Sequence, residues 1–484
     1  MTARLRALAR IVRAPVSPET RQRLADAWAR LPDPLRTPNQ FLGRQYAGCG
    51  ATIGAMPRCD FACRGCYLGD GANRVPAEPV AAIKRQLDRL RAWLGEGGNV
   101  QLTDGEVILR PEAEVIELVR YARGIGLVPM LMTHGDAFRR DPELLSRLMV
   151  TGGLSEVSIH VDVTQRGRRR AAYRHATREV DLLPLRDEFA ALIRRARRMT
   201  RRPLEAATTM TVTNENLAEV PLVIRWMCGN SDAFKMISFQ PVADVGRTAA
   251  GLGGMVEVED LWTRIAEGLS TPTERLRASQ GSLGHPGCSR FAQGLVVRRD
   301  GERPRFHPLL RPDDAPDHAV IQEALARFGG LTMRLDDGAQ ALARALGLAL
   351  AAPRFVVGRM LPFVARWPRR LDPGHPMRLI WQWLRGRTRI DYLNIVSHHF
   401  MSRAELLTPL GRERVGLCVF KVPIGDELVS MCEVNALGGR DRYYESLRGL
   451  PTHLERRASA PVHERIGMEG EPAEPVREVA GQAC

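Results

Sequence analysis

The stretch PRCDFACRGCYLGD, residues 57–70, holds Cys59, Cys63 and Cys66 in the spacing C-x3-C-x2-C. Three thiolates on one short loop suit a cubic four-iron cluster, because each thiolate can bind a different iron while the fourth iron stays open. A structural zinc site usually needs a fourth close ligand from a second C-x2-C pair or from paired histidines. The sequence has neither pattern. Zinc, or three ordinary buried cysteines, remain the alternatives to an iron–sulfur loop.

The composition is close to that of an ordinary globular protein. The chain has 484 residues, of which 44% are hydrophobic and 26% charged, so one large domain and one or two smaller ones can bury a core. The net charge of +15 favours anionic partners such as phosphates, acidic lipids or carboxylates, without choosing among them. RNA-recognition motifs are missing, so we do not expect nucleic acid as a partner.

The start of the chain, MTARLRALARIVRAP, is basic and amphipathic, and it lacks the continuous apolar core and cleavage site of a secretory signal. No run reaches the roughly 18 uninterrupted apolar residues that a membrane span needs. We therefore predict a cytoplasmic protein. Thiols stay reduced in that compartment, so clustered cysteines indicate a metal or catalysis rather than disulfides.

Short strand-like runs alternate with helix-like runs through the first half of the chain. Five of the runs are rich in Val, Ile, Thr or Met, and a sixth strand is expected near residues 51–57. The five are NVQLT (99–103), LVPMLMT (127–133), EVSIHV (156–161), AATTMTV (206–212) and KMISFQ (235–240). This alternation predicts a parallel sheet wound as a partial (β/α)6 TIM-like barrel of the α/β class.

Ligands of such sheets bind at the carboxyl ends of the strands. Glu106 follows the second predicted strand, His134 ends the third, and His160 and Asp162 end the fourth, so all are expected on one rim with the cysteine loop. We expect His134 to be a turn residue bonded to backbone, and His160 and Asp162 to contact a ligand. The charge run TQRGRRR, residues 164–170, is interpreted as a solvated loop, with an anion clamp as the alternative.

These motifs, in this order, resemble those of the radical S-adenosylmethionine (radical SAM) superfamily. The three cysteines match the cluster-binding loop of that family, and VQLTDGEVILRPE, residues 100–112, looks like its second strand and Gly-Gly-Glu segment. The later strands follow in the family's order, and the resemblance covers residues 51–247. It implies a [4Fe–4S] cluster on the three cysteines and a methionine-contacting role for Asp104, Gly105 and Glu106.

Two positions depart from the family pattern. Asp104 places a side chain where the family usually has the first glycine of the triplet. Gly65 stands where an aromatic residue usually packs over the adenine, so we expect Tyr67 to supply that contact. His160 and Asp162 complete the predicted cofactor-binding set.

The resemblance also implies a reaction. One electron from the reduced cluster cleaves S-adenosylmethionine, and the 5′-deoxyadenosyl radical then takes a hydrogen atom from an unidentified substrate. It implies a small flavodoxin- or ferredoxin-like electron donor, and it assigns neither catalytic residues nor the outcome of the reaction. A lipid substrate is favoured because both ends of the chain carry basic amphipathic stretches, with a peptide as the alternative. The rival interpretation is a non-enzymatic metal-binding regulatory or RNA-binding module.

We divide the chain into four parts. These are a basic helical segment at residues 1–48, the radical SAM core at 49–248, an accessory or substrate domain at 255–451 and a disordered tail at 452–484. AAGLGG, residues 249–254, is the predicted linker. Residues 333–370 and RLIWQWLRGR (378–387) are predicted as helices that pack in a core, and the alternative is a peripheral position on the anionic inner face of a membrane.

A second set of cysteines lies in the C-terminal half. CVFKVPIGDELVSMCEVN, residues 418–435, is predicted to form a hairpin with a Gly-Asp turn and a cysteine near each end. It looks like the auxiliary-cluster region that many radical SAM enzymes carry. Cys288, Cys418 and Cys432 are therefore candidates for a second cluster, whose fourth ligand would be Cys49, His398, His399 or the substrate. Three buried core cysteines are the alternative.

Overall fold

The computed structural model describes residues 3–248, 252, 256–331 and 338–448. The predicted linker at 249–254 (apart from Leu252), the first residues of the helical stretch predicted at 333–370 and the tail predicted at 452–484 lie outside the described residues.

One mixed sheet of twelve strands organises the described residues. In chain order they are β1 (Cys49–Ala51), β2 (Asn99–Leu102), β3 (Val128–Thr133), β4 (Glu156–His160), β5 (Glu205–Val212), β6 (Phe234–Pro241), β7 (Gly281–Ser282), β8 (Ser289–Arg299), β9 (Arg305–Pro308), β10 (Thr388–His398), β11 (Phe420–Ile424) and β12 (Glu427–Ser430). The spatial order is β12-β11-β1-β2-β3-β4-β5-β6-β10-β8-β7, and β9 pairs with β8.

The first six strands are parallel neighbours in sequence order and form a curled half-barrel, as the alternating pattern predicted. Each of the five runs quoted above coincides with a strand to within one or two residues at its ends. The partial TIM-like barrel is thus confirmed. Because all six strands run the same way, their carboxyl ends meet at one rim.

Twenty α-helices surround the sheet. They are α1 (Ala3–Arg13), α2 (Pro18–Ala29), α3 (Val80–Leu94), α4 (Glu112–Gly124), α5 (Asp136–Arg140), α6 (Leu144–Arg147), α7 (Ala171–Arg174), α8 (Leu183–Thr200), α9 (Val220–Gly229), α10 (Val258–Leu269), α11 (Thr273–Ala278), α12 (Ala315–Phe328), α13 (Gly338–Ala351), α14 (Pro353–Phe355), α15 (Leu361–Leu371), α16 (Pro376–Leu384), α17 (Arg403–Leu406), α18 (Pro409–Gly416), α19 (Met431–Ala436) and α20 (Gly439–Leu447) among the described residues.

Helix α3 shows how the core forms. Ile83, Leu87, Leu90 and Leu94 recur at intervals of three or four residues, so they lie on one face of the helix, and all four are buried against the sheet. Full burial of a side chain of this size contributes about 1.5–3 kcal/mol. The helix ends at Gly95, whose φ of +80° suits a residue without a Cβ.

Residues after 280 extend both edges of the half-barrel. β10 pairs in parallel with β6, and β11 pairs in parallel with β1. The predicted hairpin is confirmed, since β11 and β12 are antiparallel and Ile424 faces Glu427 across a two-residue turn. Gly425 takes a φ of +57° in that turn. Strands from the middle and the end of the chain are therefore continuous with the core sheet.

Among the described residues, no single helix is both long and apolar enough to cross a membrane. One bent pair, Gly338–Ala351 with Pro353–Leu371, meets the criterion jointly by length and composition.

Candidate active site at the rim of the half-barrel

A cavity of about 200 Å³ lies at the carboxyl ends of the parallel strands. Its wall contains all three cysteines of the sequence motif, together with Gly105, Glu106, Thr133, His134 and His160. The structure therefore gathers on one rim the residues that the sequence placed after the first four strands.

The cysteine loop is anchored by backbone hydrogen bonds. The N–H of Cys59 donates to Oδ1 of Asn73 at 2.9 Å, and the N–H of Arg64 donates to the carbonyl of Thr164 at 2.8 Å. Burial raises the pKa of the Cys59 thiol to about 12, and burial followed by the charges of Cys66 and Cys59 raises the pKa of Cys63. The thiols are close enough to repel one another when ionised, so a bound cation is needed to hold them as thiolates.

This donor set fits a [4Fe–4S] cluster. Three thiols face one cavity, and no fourth cysteine of the described chain lies in its wall. A single-ion site is a weaker fit. The ligand atoms of Cys59, Asp60 and His134 lie within 4.8 Å of one another. However, His134 Nε2 lies 2.7 Å from Asp60 Oδ1, and Nδ1 accepts from the N–H of Asp136 at 3.2 Å. Both ring nitrogens are thus engaged, and His134 is the backbone-bonded turn residue that its position predicted.

Glu106 is 1% exposed, and its carboxylate is held by the end of β3. Oε1 accepts from Thr133 Oγ1 at 2.7 Å, and Oε2 accepts from the N–H of His134 at 2.8 Å. Each carboxylate oxygen has two lone pairs, so acceptor capacity remains on the cavity side. The geometry keeps an anionic group fixed in the cavity wall, where an ammonium group can approach.

Gly105 permits the closest backbone approach in the site. Its N–H donates to the carbonyl of Met56 at 2.7 Å, and the N–H of Glu106 donates to the carbonyl of Arg58 at 2.9 Å. A Cβ on Gly105 would lie 2.3 Å from the oxygen of Arg58. A side chain here would therefore push the loop that leads to Cys59 away from β2.

Asp104 lies in the wall of this cavity, and its carboxylate is bound by side chains of the C-terminal region. Its Oδ1 pairs with Arg440 Nη1 and accepts from the Tyr444 hydroxyl, and its Oδ2 accepts from the N–H of Gly54 at 2.6 Å. Burial raises the pKa of Asp104, and the charge of Arg440 opposes that rise. The carboxylate of Asp104 is thus bound to Arg440 and Tyr444, and the methionine contact of Asp104 stays a prediction.

Tyr67 contacts both members of this pair, Asp104 and Arg440. Its hydroxyl donates to the backbone carbonyl of Asp104, and the guanidinium of Arg440 lies 4.6 Å from its ring centre. Burial raises its pKa. The ring still reaches the cavity wall, but one face is covered by a cation, so at most the other face is available for the predicted adenine contact.

The structure explains Gly65. A Cβ at this position would lie 3.1 Å from Val242 Cγ2 and 3.4 Å from Thr211 Cγ2. A side chain before the third cysteine would therefore be tight against Thr211 of β5 and against Val242, which follows β6.

His160 and Asp162 have different places. His160 lies in the cavity wall, and its Nε2 bonds to Asp162 Oδ2 and lies 3.2 Å from Thr211 Oγ1. Asp162 is 2% exposed and lies behind His160, where its carboxylate also accepts from the N–H of Thr211 and from Thr164. Burial by itself would raise the pKa of Asp162, but the charge of His160 and the hydrogen bonds from His160, Thr164 and Thr211 together lower it. Asp162 thus supports His160 from outside the wall of this cavity, and the ligand contact expected of Asp162 stays a prediction.

The charge run at 164–170 is not the solvated loop that the sequence predicted, because Thr164, Gln165 and Arg168 are buried. Arg168 is 1% exposed and donates to the carbonyls of His134 and His160, at 2.6 and 2.8 Å, and to Asp136. It is neither solvated nor free to clamp a ligand, since it ties the ends of β3 and β4 together. Local sequence gave no signal for this, because Arg169 and Arg170 beside it are exposed.

The C-terminal cysteines line a second cavity of about 90 Å³. Its wall contains Cys288, Cys418 and Cys432, together with Cys49 and three histidines, His285, His398 and His399. Burial raises the pKa of all four thiols, and Cys418 and Cys288 add to the rise at Cys432. Burial also lowers the pKa of His398 to about 4, which keeps its ring neutral.

The two cavities share a wall that the sequence did not reveal. The residues common to both are Gln101, Gln240, Phe400, Phe420 and Met431. Phe400 and Phe420 come from the C-terminal strands and loops, and their rings lie 6.2 Å apart. No spacing pattern could have found them, because Phe420 is placed by the pairing of β11 with β1 and Phe400 follows β10, which pairs with β6.

Part of the chain is similar to known proteins. Residues 53–227 match the sequence model of the radical SAM superfamily. The 7,8-dihydro-6-hydroxymethylpterin dimethyltransferase of Methanocaldococcus jannaschii is 26% identical over 220 residues, which are 45% of this chain and 41% of that protein. The chain therefore aligns with less than half the length of this curated relative. The family match favours an enzyme over the non-enzymatic module.

Solved structures with detectable similarity include three proteins. SuiB of Streptococcus suis bound to S-adenosylmethionine is 12% identical, with a TM-score of 0.31 over 45% of each chain. The enzyme anSMEcpe with bound AdoMet and the Cp18Cys peptide is 13% identical, with a TM-score of 0.32 over 45% of this chain and 57% of that one. Methylornithine synthase (PylB) is 15% identical, with a TM-score of 0.32 over 54% and 72%.

Proposed function

We propose that the chain, whose residues 53–227 match the sequence model of the radical SAM superfamily, cleaves S-adenosylmethionine reductively at the rim cavity and abstracts a hydrogen atom from a substrate bound beside it. The observation that carries this proposal is the convergence of Cys59, Cys63, Cys66 and the Gly105–Glu106 pair in one cavity. When bound, a reduced [4Fe–4S] cluster supplies the electron for carbon–sulfur bond cleavage.

The residues of the chain bind and orient. The three cysteines hold the cluster, and Glu106 accepts a hydrogen bond from the methionine ammonium. Thr133 and the N–H of His134 keep the Glu106 carboxylate in place. Burial of this carboxylate strengthens its attraction for a cation, since few water molecules compete.

The test uses protein reconstituted anaerobically with iron and sulfide. Wild-type protein should hold a [4Fe–4S] cluster and form 5′-deoxyadenosine from S-adenosylmethionine with a chemical reductant. The triple variant Cys59→Ala, Cys63→Ala, Cys66→Ala should form none. Cys228→Ala is the matched control, because Cys228 is buried in α9 and lies in the wall of neither cavity. Undiminished 5′-deoxyadenosine formation by the triple variant would overturn the proposal.

For the substrate we propose an amphipathic lipid, with a peptide as the alternative. The apolar side chains Phe400, Phe420 and Met431 support this choice, because they line the side of the cavity that faces the C-terminal region. Extra 5′-deoxyadenosine, formed when lipid extract but not a peptide mixture is added, would support it. For the electron source we propose a small flavodoxin- or ferredoxin-like protein, whose acidic surface would complement the net charge of +15.

We further propose a second iron–sulfur cluster on Cys288, Cys418 and Cys432. The support is their position around one small cavity, and the best candidate for the fourth ligand is His399. Its Nε2 lies 3.0 Å from Glu405 Oε1, while its Nδ1 is buried with no hydrogen-bond partner among the described residues. A carboxylate behind a histidine is the usual support of a metal-bound imidazole, because it fixes the tautomer and ring orientation. Cys49 is the rival ligand.

Iron analysis of the triple variant tests the second cluster. If it exists, about four irons and four sulfides per chain should remain after loss of the first. Adding His399→Ala to that variant should lower the remaining iron further, whereas adding Cys49→Ala should not. The reverse result would assign Cys49 as the ligand. Complete loss of iron from the triple variant would show that these cysteines are buried core residues that bind no cluster.

A further inference from the structure

Large apolar side chains are exposed on three consecutive helical segments of the C-terminal half. The most exposed are Leu342 at 71%, Leu384 at 72% and Met377 at 74%. Single exposed apolar residues are common on protein surfaces, but a concentration of them marks an interaction site. The segments involved are α13, α16 and the stretch from residue 356 through α15.

The exposed residues follow helical periodicity in each segment. We call them the outer stripes, and they are Leu342, Leu346 and Leu350; Val357, Leu361 and Val364; and Met377, Trp381 and Leu384. Successive members are three or four residues apart, so each stripe occupies one face of its segment. Each segment therefore presents an apolar surface to the outside.

The inner faces of the same segments are buried in the protein. Gly347 of α13 packs on α1, where a Cβ would lie 2.7 Å from the carbonyl oxygen of Val12. Trp367 and Leu371 of α15 and Leu379 of α16 form one core cluster. The folded domain thus buries only one side of each segment. Packing within a core, which the sequence favoured, accounts for the inner faces and leaves the outer stripes uncovered within the described residues.

The charge of this region is one-sided. Residues 338–390 contain ten arginines and a single acidic residue, Asp372. Acidic residues of neighbouring segments pair with four of these arginines, namely Arg359, Arg366, Arg370 and Arg389, so the excess of positive charge rests on the others. Asp372 is paired with Arg299 at 2.8 Å. Next to these helices lies a cavity of about 450 Å³ with five arginines and one histidine in its wall and no acidic residue among the described residues that form it. The cationic members are Arg275, Arg305, His307, Arg311, Arg369 and Arg370.

Aromatic residues mark the border of the apolar surface. Trp381 and Trp383 are about half exposed, and the guanidinium of Arg385 lies 3.7 Å from the Trp381 ring centre. Tryptophan and arginine both combine an apolar body with a polar end, a combination that suits the boundary between hydrocarbon and lipid headgroups.

We propose that the outer stripes dock on the surface of an anionic lipid bilayer, with the surrounding arginines meeting the lipid phosphates. Apolar insertion and attraction to anionic headgroups add in such binding. Charge complementarity selects this occupant, since the arginines would oppose a cationic partner and leave a neutral one without a matching charge. The inference goes beyond the proposed function and stands or falls independently of it.

The test is sedimentation of the cluster-loaded full chain with vesicles. The protein should sediment with vesicles of phosphatidylcholine that contain phosphatidylglycerol. It should bind vesicles of phosphatidylcholine alone at least about tenfold more weakly. Binding should fall as salt rises, because exposed charges are screened over about 8–10 Å. Equal binding to both kinds of vesicle, or none to anionic vesicles at low salt, would overturn the proposal.

A quadruple variant tests the apolar stripes. It carries Leu342→Gln, Leu350→Gln, Met377→Gln and Leu384→Gln, and it should fold normally because these side chains are exposed. It should bind anionic vesicles at least about tenfold more weakly. The matched control changes four exposed apolar residues elsewhere to Gln, and it should bind like wild type; they are Val150, Met199, Leu407 and Leu410.

Two further outcomes would contradict the assignment of bilayer docking to the outer stripes. Equal loss of binding in the control variant would show a general effect of surface polarity and overturn the assignment to the outer stripes. Sedimentation velocity without vesicles tests whether a second copy of the chain binds to the outer stripes instead. A dimer that the quadruple variant abolishes would assign the outer stripes to self-association, and this would overturn bilayer docking.

Discussion

Asp104, which follows β2, and Arg440, in α20, form a buried ion pair between residues 336 positions apart. Asp104 stands where the family has a glycine, so the departure in the triplet and the C-terminal helix belong together. The pair is enclosed by Tyr444 and Tyr67, whose hydroxyls bond to the side chain and to the backbone of Asp104. A side chain beside the cofactor cavity thus ties the half-barrel to the end of the described chain.

Breaking the pair from one side should destabilise the fold. Arg440→Met leaves the carboxylate of Asp104 buried without its cation, and Asp104→Gly leaves the guanidinium unpaired. Loss of one partner of a buried pair costs about 3–5 kcal/mol. The measurement is urea unfolding of both single variants and of the double variant, and the double should lose less than the sum of the singles.

Additive losses would show that the two residues act independently. Glu274→Gln supplies the control, because Glu274 pairs with Arg277 on the exposed surface. It should leave the unfolding midpoint unchanged.

Gly105→Ala should weaken cluster binding as well as stability. The new Cβ would lie 2.3 Å from the carbonyl oxygen of Arg58, so the backbone that leads to Cys59 must move. We expect lower iron content after reconstitution and a lower unfolding midpoint. Gly124→Ala is the matched control, since nothing lies within 4 Å of its added Cβ. Equal iron contents in the two variants would contradict a role for this close approach.

Glu106→Gln should keep the cluster but weaken S-adenosylmethionine binding. The loss of one charge-assisted hydrogen bond costs about 1.5–3 kcal/mol, which is about one to two decades in affinity. Equilibrium binding to the reconstituted protein measures this. Glu117→Gln is the control, because Glu117 is half exposed and pairs with Lys84 outside the cavity. Unchanged affinity in Glu106→Gln would remove Glu106 from the cofactor contacts.

His307 should make the protein sensitive to acid. Burial, followed by the charges of Arg305 and Arg275, lowers the pKa of His307 to about 4. Between pH 6.5 and 4 the unfolded chain binds a proton at this residue that the folded chain does not, so the free energy of unfolding falls as the pH falls. The loss should be complete near pH 4 and amount to about 1–3 kcal/mol, because His307 is partly exposed.

The comparison with His307→Gln isolates this effect. Urea unfolding at pH 7 and at pH 4.5 should show the variant gaining stability relative to wild type as the pH falls. A stability difference that does not change with pH would contradict the lowered pKa.

The sequence alone predicted the half-barrel and most of its rim. Short strand-like runs rich in Val, Ile, Thr or Met alternate with helical stripes, and this alternation is local information that indicates a parallel sheet. Parallel strands end at one edge, so the spacing of Cys59, Glu106, His134 and His160 along the chain already placed them together. The hairpin around Gly425 was predictable for the same reason, since a two-residue turn is a local signal.

Only the tertiary structure decided how distant segments meet. The pairing of β11 with β1 brings Cys418 and Cys432 beside Cys49, and the approach of α20 gives Asp104 its cation. The burial of Arg168 likewise depends on two carbonyls at the ends of neighbouring strands. Except for the bond from Arg168 to His160, these contacts join groups more than thirty residues apart. Their energies come from excluded water and matched charge. Local periodicity encodes which face of an element is apolar, but it does not encode which other segment of the chain will cover that face.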